Sequence, residues 1–153
     1  MNKSVILAGC GNMGFAMLKG WIDGGVLESG HVSVVEPNEA LRMRAHGLGV
    51  RAVASVAEIN PAHVPTLVVI AVKPQSMASV LPDYADMAKR GTAFLSVAAG
   101  IPLKAYETAL GANAAIVRCM PNTPAAIGKG MLVYFNNANV GEALDLFIRE
   151  LLA

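Results

Sequence analysis

Charge is scarce in this chain. Its 12 Lys and Arg against 11 Asp and Glu leave a formal net charge of +1, and only 15% of the 153 residues are charged. With no basic excess and no basic run there is no electrostatic grip on nucleic acid or on an anionic membrane, so neither is expected as a partner. Long apolar runs are missing too. Leu67 to Val72 spans six residues, where a membrane span needs ~18. Leu7-Ala8-Gly9-Cys10 imitates a lipoprotein cleavage box, but the four apolar residues before Gly9 fall short of the roughly 7 to 15 of an export signal. Cysteine is limited to Cys10 and Cys119, without a C-x-x-C pair or a His at ligand spacing. They read as reduced core thiols, with neither disulfide nor metal, in a soluble cytoplasmic protein.

Apolar residues, by contrast, make up 54% of the chain, which excludes disorder, and its length suits one domain, residues 1–153. Val5 to Ala8 reads as a strand, followed by the glycine turn Gly9-Cys10-Gly11-Asn12-Met13-Gly14 and a helix with Phe15, Leu18, Ile22 and Val26 at helical spacing. Ala16 and Gly20 would keep one side of that helix small for packing on a sheet, and Gly24-Gly25 would end it. Val32 to Val35 predicts a second strand, and Asn38 caps a helix to Gly47. Val50 to Val53 predicts a short strand and Ser55 to Asn60 a short helix. The unalternating run Leu67 to Val72 reads as a strand buried on both faces. A helix from Pro74 to about Lys89, a strand at Ala93–Val97 and a helix from Pro102 to Gly111 follow. Strands at 115–120 and 131–135 come next, then an amphipathic helix through Leu151. Strand and helix in alternation predict a doubly wound, mostly parallel α/β sheet of the Rossmann type.

In such a sheet ligands bind beyond the carboxyl ends of the strands. Gly9 would allow the sharp turn, Gly11 the approach of a pyrophosphate and Gly14 close packing of the helix, whose free N–H groups would face the phosphates. Glu36-Pro37-Asn38, Val72-Lys73-Pro74-Gln75 and Ala98-Ala99-Gly100 converge on the same edge. Glu36 ends the second strand, where an acidic side chain bonds a ribose 2′-hydroxyl and repels a 2′-phosphate, which favours NADH. The loop Met120-Pro121-Asn122-Thr123-Pro124 stiffens its backbone with two prolines and offers two polar side chains, either to hold a flat ring or as a rigid connection. Lys73 reads as a solvated strand-end lysine and His31, His46 and His63 as surface residues.

The glycine turn, Ala71-Val72-Lys73-Pro74-Gln75, Ser96-Val97-Ala98-Ala99-Gly100 and Arg118-Cys119-Met120-Pro121-Asn122-Thr123-Pro124 together resemble the ordered motifs of pyrroline-5-carboxylate reductases. The resemblance covers essentially the whole chain. It implies reduction of the C=N bond of 1-pyrroline-5-carboxylate to L-proline with a nicotinamide cofactor. It places the pyrophosphate on Gly9, Cys10, Gly11, Asn12, Met13 and Gly14. The backbone of Ala71, Val72, Lys73 and Pro74, and of Ala98, Ala99 and Gly100, would border the ribose and nicotinamide. Met120, Pro121, Asn122 and Thr123 would flank the reacting ring. Many members of that family use NADPH, for which Asn38, Arg42 or Arg44 would make room, so the resemblance and Glu36 pull in opposite directions. The family's helical C-terminal domain, which carries a Ser-Gly-Ser-Gly-Pro-Ala-Tyr-like motif, the substrate carboxylate contacts and the dimer interface, has no counterpart in these residues. The proton donor would come from that domain or from solvent, and the full-length protein is expected to be a homo-oligomer. Two rival readings are a hydroxyacid- or prephenate-type dehydrogenase, against which the Met120–Pro124 loop argues, and a nucleotide-sensing module without chemistry.

Overall fold

The computed structural model describes residues 3–98, 100–119 and 134–152. Strands β1 (Val5–Ala8), β2 (Val32–Val35), β3 (Arg51–Val53), β4 (Leu67–Ile70), β5 (Ala93–Ser96), β6 (Ile116–Cys119) and β7 (Tyr134–Asn136) form one sheet in the order β3-β2-β1-β4-β5-β6-β7. Consecutive side chains point to opposite faces, so Val5 and Leu7 enter one core while Ile6 and Ala8 enter the other. Helices α1 (Asn12–Asp23), α2 (Glu39–His46) and α6 (Glu142–Leu152) cover the first face. The opposite face is covered by α3 (Met77–Val80), α4 (Ala85–Lys89) and α5 (Leu103–Leu110). Strands β1 and β4 lie between two cores and are fully buried, as their unbroken apolar runs require.

The sheet is mostly parallel, as expected: the first six strands pair in parallel, and β7 runs antiparallel to β6, with Arg118 opposite Phe135. Other expectations need correction. The expected helix from Pro74 to Lys89 is broken into a 3₁₀ turn at Pro74–Ser76, α3, a 3₁₀ turn at Leu81–Tyr84 and α4. Pro82 has no N–H to donate and its ring crowds the preceding turn, so the chain restarts there. Residues 55–60 supply only the 3₁₀ turn Val56–Glu58, fastened by the Glu58 carboxylate, which accepts from the N–H groups of Ala54 (2.8 Å) and Ser55 (3.0 Å). On α1 the buried face is Gly14, Met17, Leu18 and Trp21, while Gly20 is exposed with open space around it. Gly14, not Ala16 and Gly20, permits the close approach: a Cβ there would sit 2.3 Å from the Gly9 carbonyl oxygen.

Helix α6 buries Phe147, Ile148, Leu151 and Leu152, and the Trp21 indole N–H donates to the Leu151 carbonyl at 2.9 Å. Cys10 and Cys119 are buried and form no disulfide. Among the described residues no helix is long and apolar enough to cross a membrane, and no three His, Cys, Asp or Glu side chains gather as a metal site.

Candidate functional site

A cavity of about 480 Å³ opens beyond the carboxyl ends of β1 and β4, where the strand order reverses direction. Such reversals leave a crevice because the connections to either side diverge. The turn after β1 forms one wall. Gly9 has φ +93°, and a Cβ on it would come within 2.8 Å of the Ala71 carbonyl oxygen. Gly11 caps α1 with extended backbone and no side-chain cap, and the first turn of α1 carries no acidic residue. The leading N–H groups of α1 are therefore free to meet an anion at the positive end of the helix. A Cβ on Gly11 would touch nothing within 4 Å among the described residues, so none of them fills the space in front of it.

Glu36 is 8% exposed at the end of β2. Its two carboxylate oxygens accept from the backbone N–H groups of Cys10 and Asn38, each at 2.9 Å. The carboxylate thus ties the glycine turn to the start of α2, whose N-cap Asn38 accepts from Leu41 N–H at 3.1 Å. The Arg42 guanidinium donates to the carbonyls of Glu36 (2.9 Å) and Pro37 (2.7 Å). Arg44 stacks on the Phe15 ring at 4.1 Å and donates to the Cys10 carbonyl at 3.2 Å. Burial pushes the Cys10 thiol up to about 11, Arg44 opposing and Glu36 reinforcing, so it is a neutral packing group at pH 7.

Of the residues singled out from the sequence, Gly9, Gly11, Glu36, Pro37, Ala71, Val72 and Lys73 line the cavity. Cys10 is buried behind it, Gly14 packs beneath it, and Asn12 and Pro74 are exposed. Lys73 is exposed at the rim. Ala98 and Gly100 stand on the β5 side and do not reach this cavity; Ala98 N–H donates to Ser96 Oγ at 3.2 Å, and that hydroxyl pairs with Tyr106 OH at 2.6 Å. Ala99 and Met120, Pro121, Asn122 and Thr123 lie outside the described residues. His31 and His46 are exposed, whereas His63 Nε2 pairs with Ser4 Oγ at 3.1 Å.

The sequence reading missed the far wall: Leu41 from α2, Ser55 and Val56 after β3, and Val80 and Tyr84 from the broken helix. A signal existed. In a sheet wound β3-β2-β1, the end of the third strand lies beside Glu36, and the connection after β4 crosses the same opening.

Residues 3–100 match the family model described as NADP oxidoreductase coenzyme F420-dependent. The chain is 36% identical over 141 residues to the pyrroline-5-carboxylate reductase of Escherichia coli K12, a match covering 92% of this chain and 52% of that protein. The chain thus spans about half the length of the curated relatives it matches, and the resemblance read from its motifs is borne out. The fold superposes on a pyrroline-5-carboxylate reductase from Coxiella burnetii with a TM-score of 0.89 at 24% identity, covering 99% of this chain and 56% of that one. A Plasmodium falciparum pyrroline carboxylate reductase solved with NADP bound gives 0.80 at 24% identity, covering 99% and 54%.

Proposed function

Because the chain belongs to the NADP oxidoreductase coenzyme F420-dependent family, we propose that it carries the nicotinamide-dinucleotide site of a reductase that converts 1-pyrroline-5-carboxylate to L-proline. The observation that carries the cofactor reading is the cavity bounded by Gly11, with its vacant Cβ direction, and by the uncapped N-terminus of α1. The identity to the E. coli reductase supports the substrate. A bound nicotinamide supplies the hydride. This chain's own contribution is placement: the leading N–H groups of α1 take the pyrophosphate, the Ala71–Pro74 and Ala98–Gly100 segments border the nicotinamide half, and Met120, Pro121, Asn122 and Thr123 flank the reacting ring. Positioning of that kind supplies much of the rate when the acceptor carbon is an already electrophilic protonated imine. No side chain is assigned as acid or base, and Lys73 and Cys10 are not candidates.

Within this reading the cofactor is NADH in preference to NADPH. Glu36 is held inward by two backbone donors, so swinging it out to admit a 2′-phosphate would strip Cys10 N–H, on a wholly buried residue, of its acceptor. Arg42 and Arg44 are engaged with backbone carbonyls in the same arrangement. The whole protein is proposed to be a cytoplasmic homo-oligomer, a setting that suits two cysteines, Cys10 and Cys119, outside any disulfide.

Calorimetry with NADH tests the site. Gly11→Val should abolish binding while the circular dichroism spectrum and melting temperature stay close to those of the parent, since a Cβ at this position meets no atom of the described residues within 4 Å. Unchanged NADH affinity in the folded variant would refute the assignment. Proline formation by the 153 residues alone should be far below that of a complete reductase, because half of the relatives' length is not represented. A comparable rate would place the entire active site within this chain.

A further inference from the structure

The last hydrogen bond that β5 makes to β4 runs from Val97 N–H to the Ile70 carbonyl at 3.1 Å. One residue further on, the Ala98 N–H is taken by Ser96 Oγ at 3.2 Å, a side-chain turn that steers the chain as it leaves the sheet. The same Ser96 hydroxyl meets Tyr106 OH at 2.6 Å, and both residues are wholly buried. Tyr106 belongs to α5, so the pair joins the strand before the Ala98–Gly100 segment to the helix after it. The connection is closed at its base.

Stability alone does not call for this pair. Its neighbours in the second core are Phe94, Leu110 and Ile116, and Ala and Phe in place of Ser96 and Tyr106 would fill similar space with no polar group to strip of water. A satisfied pair of hydroxyls contributes direction instead, because each holds the other in one orientation. Burial pushes the ionisation of Tyr106 upward, with the Ser96 hydrogen bond and Arg118 opposing, so both groups keep their protons at pH 7. Ser96 Oγ is thereby held where it can accept from Ala98 N–H.

We propose that Tyr106 is a positioning residue for the nicotinamide half of the cofactor, acting through Ser96 on the backbone at Ala98. The inference rests on the dinucleotide reading above, which sets the Ala98–Gly100 segment beside that half. ADP-ribose has both ribose rings and both phosphates of NADH but no nicotinamide, so the two probes separate the ends of the site. Tyr106→Phe keeps the ring in the core and should weaken NADH about three- to tenfold, with ADP-ribose within twofold of the parent. Ser96→Ala should act alike, and the double variant should bind NADH no worse than Ser96→Ala alone, because Tyr106 has no other route to the segment. In the unsubstituted chain the Ala98 amide resonance should move with NADH and stay still with ADP-ribose. Ser96→Ala and that resonance decide the question should Tyr106→Phe not fold. A merely structural role would lower both affinities together. Equal losses for the two probes, NADH affinity within twofold of the parent in either single variant, additive losses in the double variant, or an Ala98 amide indifferent to NADH would overturn the proposal while leaving the dinucleotide site intact. Failure of the parent chain to bind ADP-ribose at all would remove the dinucleotide reading and this inference with it.

Discussion

Glu36→Gln separates two jobs that the carboxylate performs at once. The parent side chain accepts from Cys10 N–H and Asn38 N–H, each at 2.9 Å. Glutamine keeps one acceptor oxygen and turns the other into a donor that faces an N–H, so one of the two bonds must be lost. Cys10 is wholly buried and Asn38 is exposed. The amide should therefore keep its oxygen on Cys10 and release Asn38 N–H to water. That places the stability cost near the lower end of the range for a bond to a charged group, about 1.5 kcal/mol, or roughly 3 to 6 °C in melting temperature for a domain of this size. The effect on cofactors runs differently. NADH should lose less than tenfold, because an amide oxygen still accepts from a ribose hydroxyl. NADPH should gain tenfold or more, because a carboxylate several ångströms from a 2′-phosphate costs on the order of 1 to 4 kcal/mol in a partly hydrated cleft. Calorimetric titration of both cofactors, with melting curves at one pH and ionic strength, reads both effects. An unaltered NADPH-to-NADH affinity ratio would show that Glu36 does not select the cofactor. A melting temperature within a degree of the parent would show that it does not brace the turn.

Gly14→Ala should destabilise the chain by about 1 to 3 kcal/mol or stop it folding, since the new Cβ would lie 2.3 Å from a backbone carbonyl oxygen that cannot move aside; denaturant unfolding gives the value, and a cost below half a kcal/mol would refute the packing argument. Trp21→Phe removes the indole donor to the Leu151 carbonyl at 2.9 Å and should cost roughly 1 to 3 kcal/mol through the unpaired buried carbonyl, with amide exchange rising first in the last turn of α6. The Cys10 thiol, raised from 9.0 to about 11 by burial, favours a fold that keeps its proton. That contribution is fully present below pH 9 and is lost as pH rises towards 11. Cys10→Ala should flatten this part of the stability profile, and a slope identical to the parent's would exclude the thiol as its source.

The glycine turn, β1, β2 and β4 were legible because their signals are local: an apolar run, a fixed spacing of three glycines, and Asn38 at a helix start. Direction was not legible for β7, since a two-residue period is the same in a parallel and an antiparallel strand. The broken helix after Pro74 was obscured by its apolar spacing, which continues through Pro82 although the backbone hydrogen bonds cannot. Glu36 was recognised as a strand-end acid, but its grip on Cys10 N–H joins residues 26 apart, and nothing in spacing reports a contact across two strands. Nothing in the sequence singles out Tyr84. Only the three-dimensional arrangement reveals a buried hydroxyl without a partner in a cavity wall.

The bond between Trp21 and Leu151 joins residues 130 apart, and Lys3 pairs with Glu150 at 3.1 Å across 147. Helix α6 therefore closes a core whose other walls, α1 and β1, precede it in the chain by most of the sequence. The core on the opposite face draws on β1 through β6 and α3 to α5, all complete well before α6 is polymerised. At roughly 5 to 20 residues per second, one face of the sheet can be sealed on the ribosome while the other waits, with Met17, Leu18 and Trp21 uncovered, for a segment still inside the exit tunnel. A nascent chain stalled short of Phe147 therefore lacks the α6 side chains that pack against Met17, Leu18 and Trp21.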